Sequence, residues 1–171
     1  MLQYTVMKDE SRLYKTYGRR RSLRLRDVDY RTPYTYHVTW GTADRRPILC
    51  DGSLSMRLID VLKEKTRNTG MQIYAYCLMP DHVHLLLCPE AGSDVIRFVQ
   101  AYKSKTTRVY WGLGGHGKFW QRGFYDHILR DEEDVKEVAR YVLGNPVRKG
   151  LIENPLEYPF SGSCVFEKKE L

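Results

Sequence analysis

The chain has 171 residues, a length that suits one folded domain. Lysine and arginine outnumber aspartate and glutamate by 28 to 21, which gives a formal net charge of +7, and there are 13 tyrosines and 3 tryptophans. This basic and aromatic composition favours a polyanion whose bases can stack, so nucleic acid is the first expected partner. A solvated basic surface with no such partner is the alternative that charge alone leaves open.

The cysteines stand apart in the sequence, with no C-x-x-C pair, at Cys50, Cys77, Cys88 and Cys164. This spacing argues against a disulfide scaffold and a zinc ribbon, and we expect a cytoplasmic protein. No apolar stretch approaches the ~18 residues that a membrane span requires, so no membrane partner is expected.

A basic arm is predicted over residues 1–30, which lack a clear apolar period. Its segment 15–26, KTYGRRRSLRLR, carries six cations, of which Arg19, Arg20, Arg21 and Arg24 are our candidate DNA contacts. We expect one functional domain over residues 31–160 and a C-terminal tail over residues 161–171.

The first predicted elements are a strand and a helix. In YTYHVTW, residues 34–40, aromatic and aliphatic residues alternate with threonine and histidine, which predicts a strand with two distinct faces. We expect His37 to be an ordinary hydrogen-bonded residue of that sheet. Leucines and a valine at helical spacing predict a helix over residues 51–70.

A hairpin and a second helix follow. The runs at 72–78 and 82–88 are rich in β-formers and are separated by Met79, Pro80 and Asp81, which favour a tight turn. The apolar period over residues 93–110 predicts a helix capped by Ser93.

A fourth strand is predicted over residues 118–130 and a third helix over residues 131–145, which Pro146 ends or kinks. The order is then β-α-β-β-α-β followed by a helix. The sequence therefore predicts an α+β fold, a ferredoxin-like antiparallel sheet with a C-terminal helix.

The most informative motif is H-x-H in the hairpin, at His82 and His84. Alternate residues of a strand share a face, so both imidazoles project together while Val83, Leu85 and Leu87 face the opposite way, towards the helices. Two imidazoles in this arrangement can bind one metal ion. Two hydrogen-bonded structural histidines are the other interpretation.

The third helix supplies a further ligand and a nucleophile. Asn145 lies four residues after Tyr141, so their side chains should share a helix face. A site of two nitrogens and one amide oxygen, with open positions, suits Mg²⁺ or Mn²⁺ bound to phosphate oxygens. Tyr141 would then lie beside a phosphodiester whose charge is neutralised. A core tyrosine is the alternative.

Other candidates fit these roles less well. Tyr102 has only the Thr106 hydroxyl four residues on, and Tyr125 lies on a predicted strand. Residues 112–118, GLGGHGK, fit the start of a phosphate-binding pattern, but Phe119 stands where serine or threonine must hold magnesium. We interpret that segment as a loop.

Three blocks resemble the single-tyrosine HUH transposases, especially the REP-associated tyrosine transposases of the IS200-like group. The blocks are YCLMPDHVHLLL, KFWQRGFYDHILR and YVLGNPVRKGL, and the resemblance covers about residues 31–160. It implies that His82 and His84 are the HUH pair, that Tyr141 is the nucleophile and that Asn145 is the helix-borne ligand.

The resemblance also assigns Trp120, Gln121 and Arg122 to packing and DNA contact, and we expect His127 to be structural. Asp81 stands where the family often has asparagine, and we expect little effect because it lies in a turn.

The resulting hypothesis is a metal-dependent endonuclease and strand transferase that forms a 5′-phosphotyrosine on hairpin-bearing single-stranded DNA of repetitive or transposon-end sequence. Further candidate DNA contacts lie on the second helix, at Arg97, Lys103, Lys105 and Arg108. We expect a homodimer, with a monomer as the alternative. A non-catalytic nucleic-acid-binding module and a hydrolase of small phosphodiesters remain the competing functions.

Removal of the basic arm should flatten the salt dependence of DNA binding, because each lost phosphate contact reduces the slope of log affinity against log salt by roughly 0.7 on a single strand. Affinities measured for the full chain and the truncated chain over a series of salt concentrations test this. An unchanged slope would exclude the arm as a DNA contact.

Overall fold

The computed structural model describes residues 28–129 and 134–171, so Arg19, Arg20, Arg21 and Arg24 of the predicted arm lie outside the described residues. In those described ranges, no helix combines the length and the apolar character needed to cross a membrane. Val28 and Tyr30 pack against the core, so a truncation that spares the core stops before Val28.

Five strands form one sheet. They are β1 (Tyr36–Gly41), β2 (Met71–Met79), β3 (His82–Pro89), β4 (Tyr125–Ile128) and β5 (Ser161–Gly162). The helices are α1 (Gly52–Thr69), α2 (Val95–Gly112), α3 (Val135–Leu143) and α4 (Asn145–Arg148). The strand order is β4-β1-β3-β2-β5, and each neighbouring pair is antiparallel. The predicted α+β fold with an antiparallel, ferredoxin-like sheet is confirmed.

The sheet has two different faces because alternate residues of β3 point in opposite directions. Val83, Leu85 and Leu87 are fully buried in a cluster with the apolar residues of α1 and α2. On the other face, Leu86 belongs to a second cluster with Ala139 and Val142 of α3. The helix that carries the predicted nucleophile therefore covers the histidine face of the same sheet.

The predicted hairpin is present, but it turns over only Pro80 and Asp81, because Met79 is the last residue of β2. The turn is held by neighbouring backbone: Thr42 N–H donates to the Asp81 carbonyl at 2.8 Å, and Leu49 N–H donates to the Pro80 carbonyl at 3.0 Å. These bonds fix the end of the strand where His82 begins.

The predicted fourth strand is too long, since β4 contains only Tyr125–Ile128. Before it, Trp120 makes an isolated bridge to Thr42. The Lys103 ammonium donates to the carbonyls of Gln121 and Gly123, both at 2.7 Å. The Gln121 N–H also donates to the Gly41 carbonyl at 2.9 Å, so this segment is attached to the end of β1 before regular pairing begins at Tyr125.

Two helix starts also differ from the prediction. Asp94, and not Ser93, caps α2 by accepting from the Arg97 N–H at 2.9 Å. The Ser93 hydroxyl instead donates to the Thr69 carbonyl. The third helix begins at Val135 and ends at Leu143.

The C-terminal segment contributes β5, which the sequence did not predict because a two-residue strand has no readable period. Ser161 and Gly162 pair with Cys77 and Tyr76 of β2. The predicted domain limits at residues 30 and 160 stay predictions.

The apolar face of β3 should dominate stability. Leu85 is completely buried, so Leu85→Ala should lower the free energy of unfolding by about 2–5 kcal/mol. Leu151→Ala, at a side chain that is 48% exposed, is the matched control and should change it by less than about 0.5 kcal/mol. Urea unfolding of both variants tests this, and similar losses would contradict it.

Candidate active site

His82 and His84 lie side by side on β3, and their Nε2 atoms face each other at 3.0 Å. Two nitrogens that bind one ion at right angles, each at ~2.1 Å, are about 3.0 Å apart. The spacing of the two nitrogens therefore fits the predicted metal pair.

Asp81 orients His82 from the hairpin turn. Its Oδ1 atom lies 2.5 Å from His82 Nδ1, and its Oδ2 atom accepts from Arg45 Nη1 at 3.2 Å. A carboxylate only accepts hydrogen bonds, so His82 carries its proton on Nδ1 and directs the lone pair of Nε2 towards His84. Asp81 is thus the hydrogen-bond partner of a candidate ligand, and the expectation that its replacement of the family's asparagine has little effect stays a prediction.

Both imidazoles are held neutral. Burial lowers the pKa of His82, although the Asp81 carboxylate opposes the shift. Burial, together with the repulsion that neighbouring protonated His37 and His82 rings would exert, holds the pKa of His84 well below its usual value. A neutral imidazole is the form that binds a metal ion, so this environment suits ligation at neutral pH.

His37 completes a row of three histidines and was missed as a site residue. Its Nε2 atom lies 3.2 Å from His84 Nδ1, and the two rings stack with centroids 5.3 Å apart. Thr39 Oγ1 lies 3.1 Å from the same His84 nitrogen. The outer nitrogen of each candidate ligand therefore has a partner, as ligating histidines usually do.

The alternation in residues 34–40 could have shown that His37 and Thr39 share a face. It could not show that this face meets His84, because that depends on the pairing of β1 with β3, where Thr39 lies opposite His84.

Tyr141 lies next to this row. Its half-buried ring is 6.4 Å from the His37 ring, at an interplanar angle of 79°. The structure thus brings Tyr141 next to a histidine that lies 104 positions earlier in the chain.

Asn145 lies after a break in the helix. Tyr141 and Asn145 are therefore not on the one continuous helix that their spacing of four residues predicted. Gly144 separates α3 from α4, but it keeps a right-handed helical conformation. The Asn145 amide nitrogen donates to the Val142 carbonyl at 3.0 Å and lies 3.4 Å from the Tyr141 carbonyl. Its amide oxygen carries the lone pairs that a cation would use.

In the described ranges, no group of three or more His, Cys, Asp or Glu side chains is arranged to hold a metal ion. An amide oxygen such as that of Asn145 is a ligand type that Mg²⁺ and Mn²⁺ accept.

The other two candidate tyrosines differ in burial and in the face of the sheet on which they lie. Tyr102 is completely buried and donates to the Leu58 carbonyl at 3.2 Å, so it belongs to the core. Tyr125 is 39% exposed and lies opposite Thr39 in the β1–β4 pair, which puts it on the histidine face. Tyr125 is thus a stronger competitor to Tyr141 than its position in the sequence indicated, and His127 lies opposite His37 on the same face.

The WQR segment packs as the resemblance implies. The Trp120 indole is buried and donates to Thr106 Oγ1 at 2.9 Å, and its ring contacts Trp40 with centroids 6.0 Å apart. Gln121 lies against Gly41, where a Cβ atom would be 3.0 Å from Oε1. Arg122 is exposed, which a DNA contact requires.

The candidate cations of α2 are not equivalent. Arg97 and Arg108 are exposed. Lys105 pairs with Glu64 at 2.7 Å, and Lys103 donates to two backbone carbonyls. Arg97 and Arg108 therefore remain the stronger candidates for DNA contact.

Comparison with known proteins adds independent findings. The family model for IS200-like transposases matches residues 31–145. A REP-associated tyrosine transposase of Escherichia coli (strain K12) is 27% identical over 138 residues, 78% of this chain and 81% of the relative. A Haemophilus influenzae protein assigned to the REP-associated tyrosine transposases is 28% identical over 114 residues, 58% of this chain and 62% of the relative. The matched region thus covers less than two thirds of the Haemophilus protein.

A solved structure of a REP-associated tyrosine transposase bound to a REP hairpin has the same fold, with a TM-score of 0.65. It is 23% identical and covers 77% of this chain and 78% of its own. The family is a metal-dependent HUH type of transposase. Because the family model spans about two thirds of the sequence, from residue 31 to residue 145, the chain belongs to the IS200-like transposases.

Proposed function

We propose that this chain cuts one strand of hairpin-bearing DNA and becomes joined to it through Tyr141, as an endonuclease and strand transferase. The observation that carries the proposal is the convergence of His82 Nε2 and His84 Nε2 at 3.0 Å, beside the helix that bears Tyr141. A tyrosine that only fills the core would not need to lie beside this histidine pair. Histidines that only belong to the sheet would not need to lie beside a tyrosine.

The chemistry is an exchange of phosphodiesters. The Tyr141 oxygen attacks phosphorus and loses its proton to solvent, the bond from phosphorus to the 3′ oxygen breaks, and that oxygen gains a proton. The downstream DNA then carries a 5′-phosphotyrosine. Attack by a 3′-hydroxyl reverses the same steps, so joining needs no energy-supplying cofactor.

His82, His84 and the Asn145 oxygen are the residues that would hold Mg²⁺ or Mn²⁺. Such an ion supplies positive charge that neutralises a phosphate and makes attack on phosphorus easier. Asp81, Thr39 and His37 keep the two imidazoles in position through their outer nitrogens.

The DNA partner is inferred from the relatives and from charge. The solved relative is bound to a REP hairpin, and this chain has a net charge of +7. We therefore infer a hairpin of repetitive or transposon-end DNA, whose phosphates would meet exposed cations, among them Arg97, Arg108 and Arg122. Within one chain, α3, which bears Tyr141, packs on the same sheet as the histidine pair, and the expected homodimer remains a proposal.

Tyr141→Phe should abolish the covalent product, because it removes the attacking oxygen and leaves the ring. The measurement uses a 3′-labelled hairpin oligonucleotide with Mn²⁺ and follows label that stays on the protein in detergent.

Tyr125→Phe tests the competing tyrosine, and Tyr34→Phe, at a side chain that is 52% exposed, serves as the matched control. Both should form the product at a normal rate. Loss of the product in Tyr125→Phe, with Tyr141→Phe active, would move the nucleophile to Tyr125.

Asp81→Ala should weaken Mn²⁺ binding about 10- to 100-fold, because it removes the partner of His82 Nδ1. Titration of the DNA-free protein with Mn²⁺, followed by electron paramagnetic resonance, measures this affinity. Arg45→Ala breaks the same ion pair from the other side but leaves the carboxylate on His82, so its affinity should change by less than about threefold. Equal effects of the two changes would contradict the role of Asp81.

A further inference from the structure

Arg148 folds back onto Tyr141. Its guanidinium carbon lies 3.8 Å from the centroid of the Tyr141 ring, which is a close cation–π contact. Its Nη2 atom also donates to the Tyr141 carbonyl at 2.7 Å. One side chain therefore holds both the ring and the backbone of the proposed nucleophile.

Gly144 provides the space for this contact. A Cβ atom at that position would lie 3.0 Å from Arg148 Nη1 and 3.2 Å from the Arg140 carbonyl. The Gly144 backbone is right-handed helical, with φ −76° and ψ −6°, a conformation that any residue adopts. The glycine is therefore explained by the room that the guanidinium needs.

The Tyr141 ring has a second neighbour in His37, whose ring meets it nearly edge-on at 6.4 Å. His37 is in turn in contact with His84. The Tyr141 ring thus lies between His37, which contacts His84, and Arg148, which bonds to the Tyr141 backbone.

We propose that Arg148 is a positioning residue that holds the Tyr141 ring in the orientation needed for attack on phosphorus. The inference rests on the proposed function, since it assigns Tyr141 as the nucleophile. A nucleophile that is held in line with its target reacts faster than one that samples several rotamers. Arginine suits this role because its planar guanidinium can stack on a ring and donate from its edge at the same time.

Single-turnover formation of the covalent product separates positioning from DNA binding. In Arg148→Ala, the maximal rate should fall about 10- to 100-fold while the DNA concentration for half-maximal rate stays within about twofold. Arg148→Lys should behave like Arg148→Ala, because an ammonium keeps the charge without the planar contact. Gly144→Ala should lower the maximal rate in the same direction.

Arg140→Ala is the matched control. It removes a cation from α3, the helix that bears Tyr141, but its side chain donates to the Leu171 carbonyl at 3.0 Å. Its rate should be normal. A large rise in the half-maximal DNA concentration of Arg148→Ala, or full activity of Arg148→Lys, would show that Arg148 binds phosphate, and would overturn the inference.

A measurement on the DNA-free protein tests the Arg148–Tyr141 contact directly, so that a folding defect is not mistaken for loss of positioning. Nitrogen–proton spectra should show the Arg148 side-chain protons shifted upfield by the Tyr141 ring, and Tyr141→Leu should remove the shift. If the unmodified chain forms the covalent product and Arg148→Ala forms it at the same rate, the positioning role of Arg148 is overturned and the proposed function stands. Absence of the covalent product from the unmodified chain overturns the proposed function and this inference together.

Discussion

The site depends on the two-residue period of β3. Successive side chains of a β-strand point to opposite faces of the sheet. Val83, Leu85 and Leu87 use this period to bury themselves against α1 and α2, and the same period directs His84 to the face under α3. A shift of one residue would move the imidazoles into the apolar core, so the packing of the leucines also fixes the position of the histidines.

This arrangement has an electrostatic consequence. Burial makes a charged imidazole costly, so His84 is kept neutral, and a neutral ring needs a partner for each nitrogen. Thr39 and His37 from β1 and His82 from β3 meet this need for His84, and Asp81 from the turn does the same for His82. The neighbours of the H-x-H motif are therefore as much a part of the site as the motif.

The fold was largely predictable because its main elements have clear periods. The H-x-H pair was predictable for the same reason, since it lies inside one strand. His37 was not, because its contact with His84 depends on which residue of β1 lies opposite which residue of β3. Arg148 was not, because Pro146 interrupts the helical period, and the contact of the Arg148 side chain with Tyr141 depends on the room left by Gly144 between the two helices. The period of a strand or helix is local, whereas pairing between distant strands is not.

Structural histidines and metal ligands differ in which ring nitrogens of His82 and His84 must carry a proton. Asp81 fixes the His82 proton on Nδ1, so His82 Nε2 can only accept. Without an ion, His84 Nε2 must then donate across the 3.0 Å gap, and its Nδ1 must accept from Thr39 or His37. For both Nε2 atoms to bind an ion, the His84 proton must lie on Nδ1 instead. The Thr39 hydroxyl serves both states, because it donates in the first and accepts in the second. Thr39 is therefore compatible with both interpretations, and metal binding differs from the structural one only in requiring the His84 proton on Nδ1.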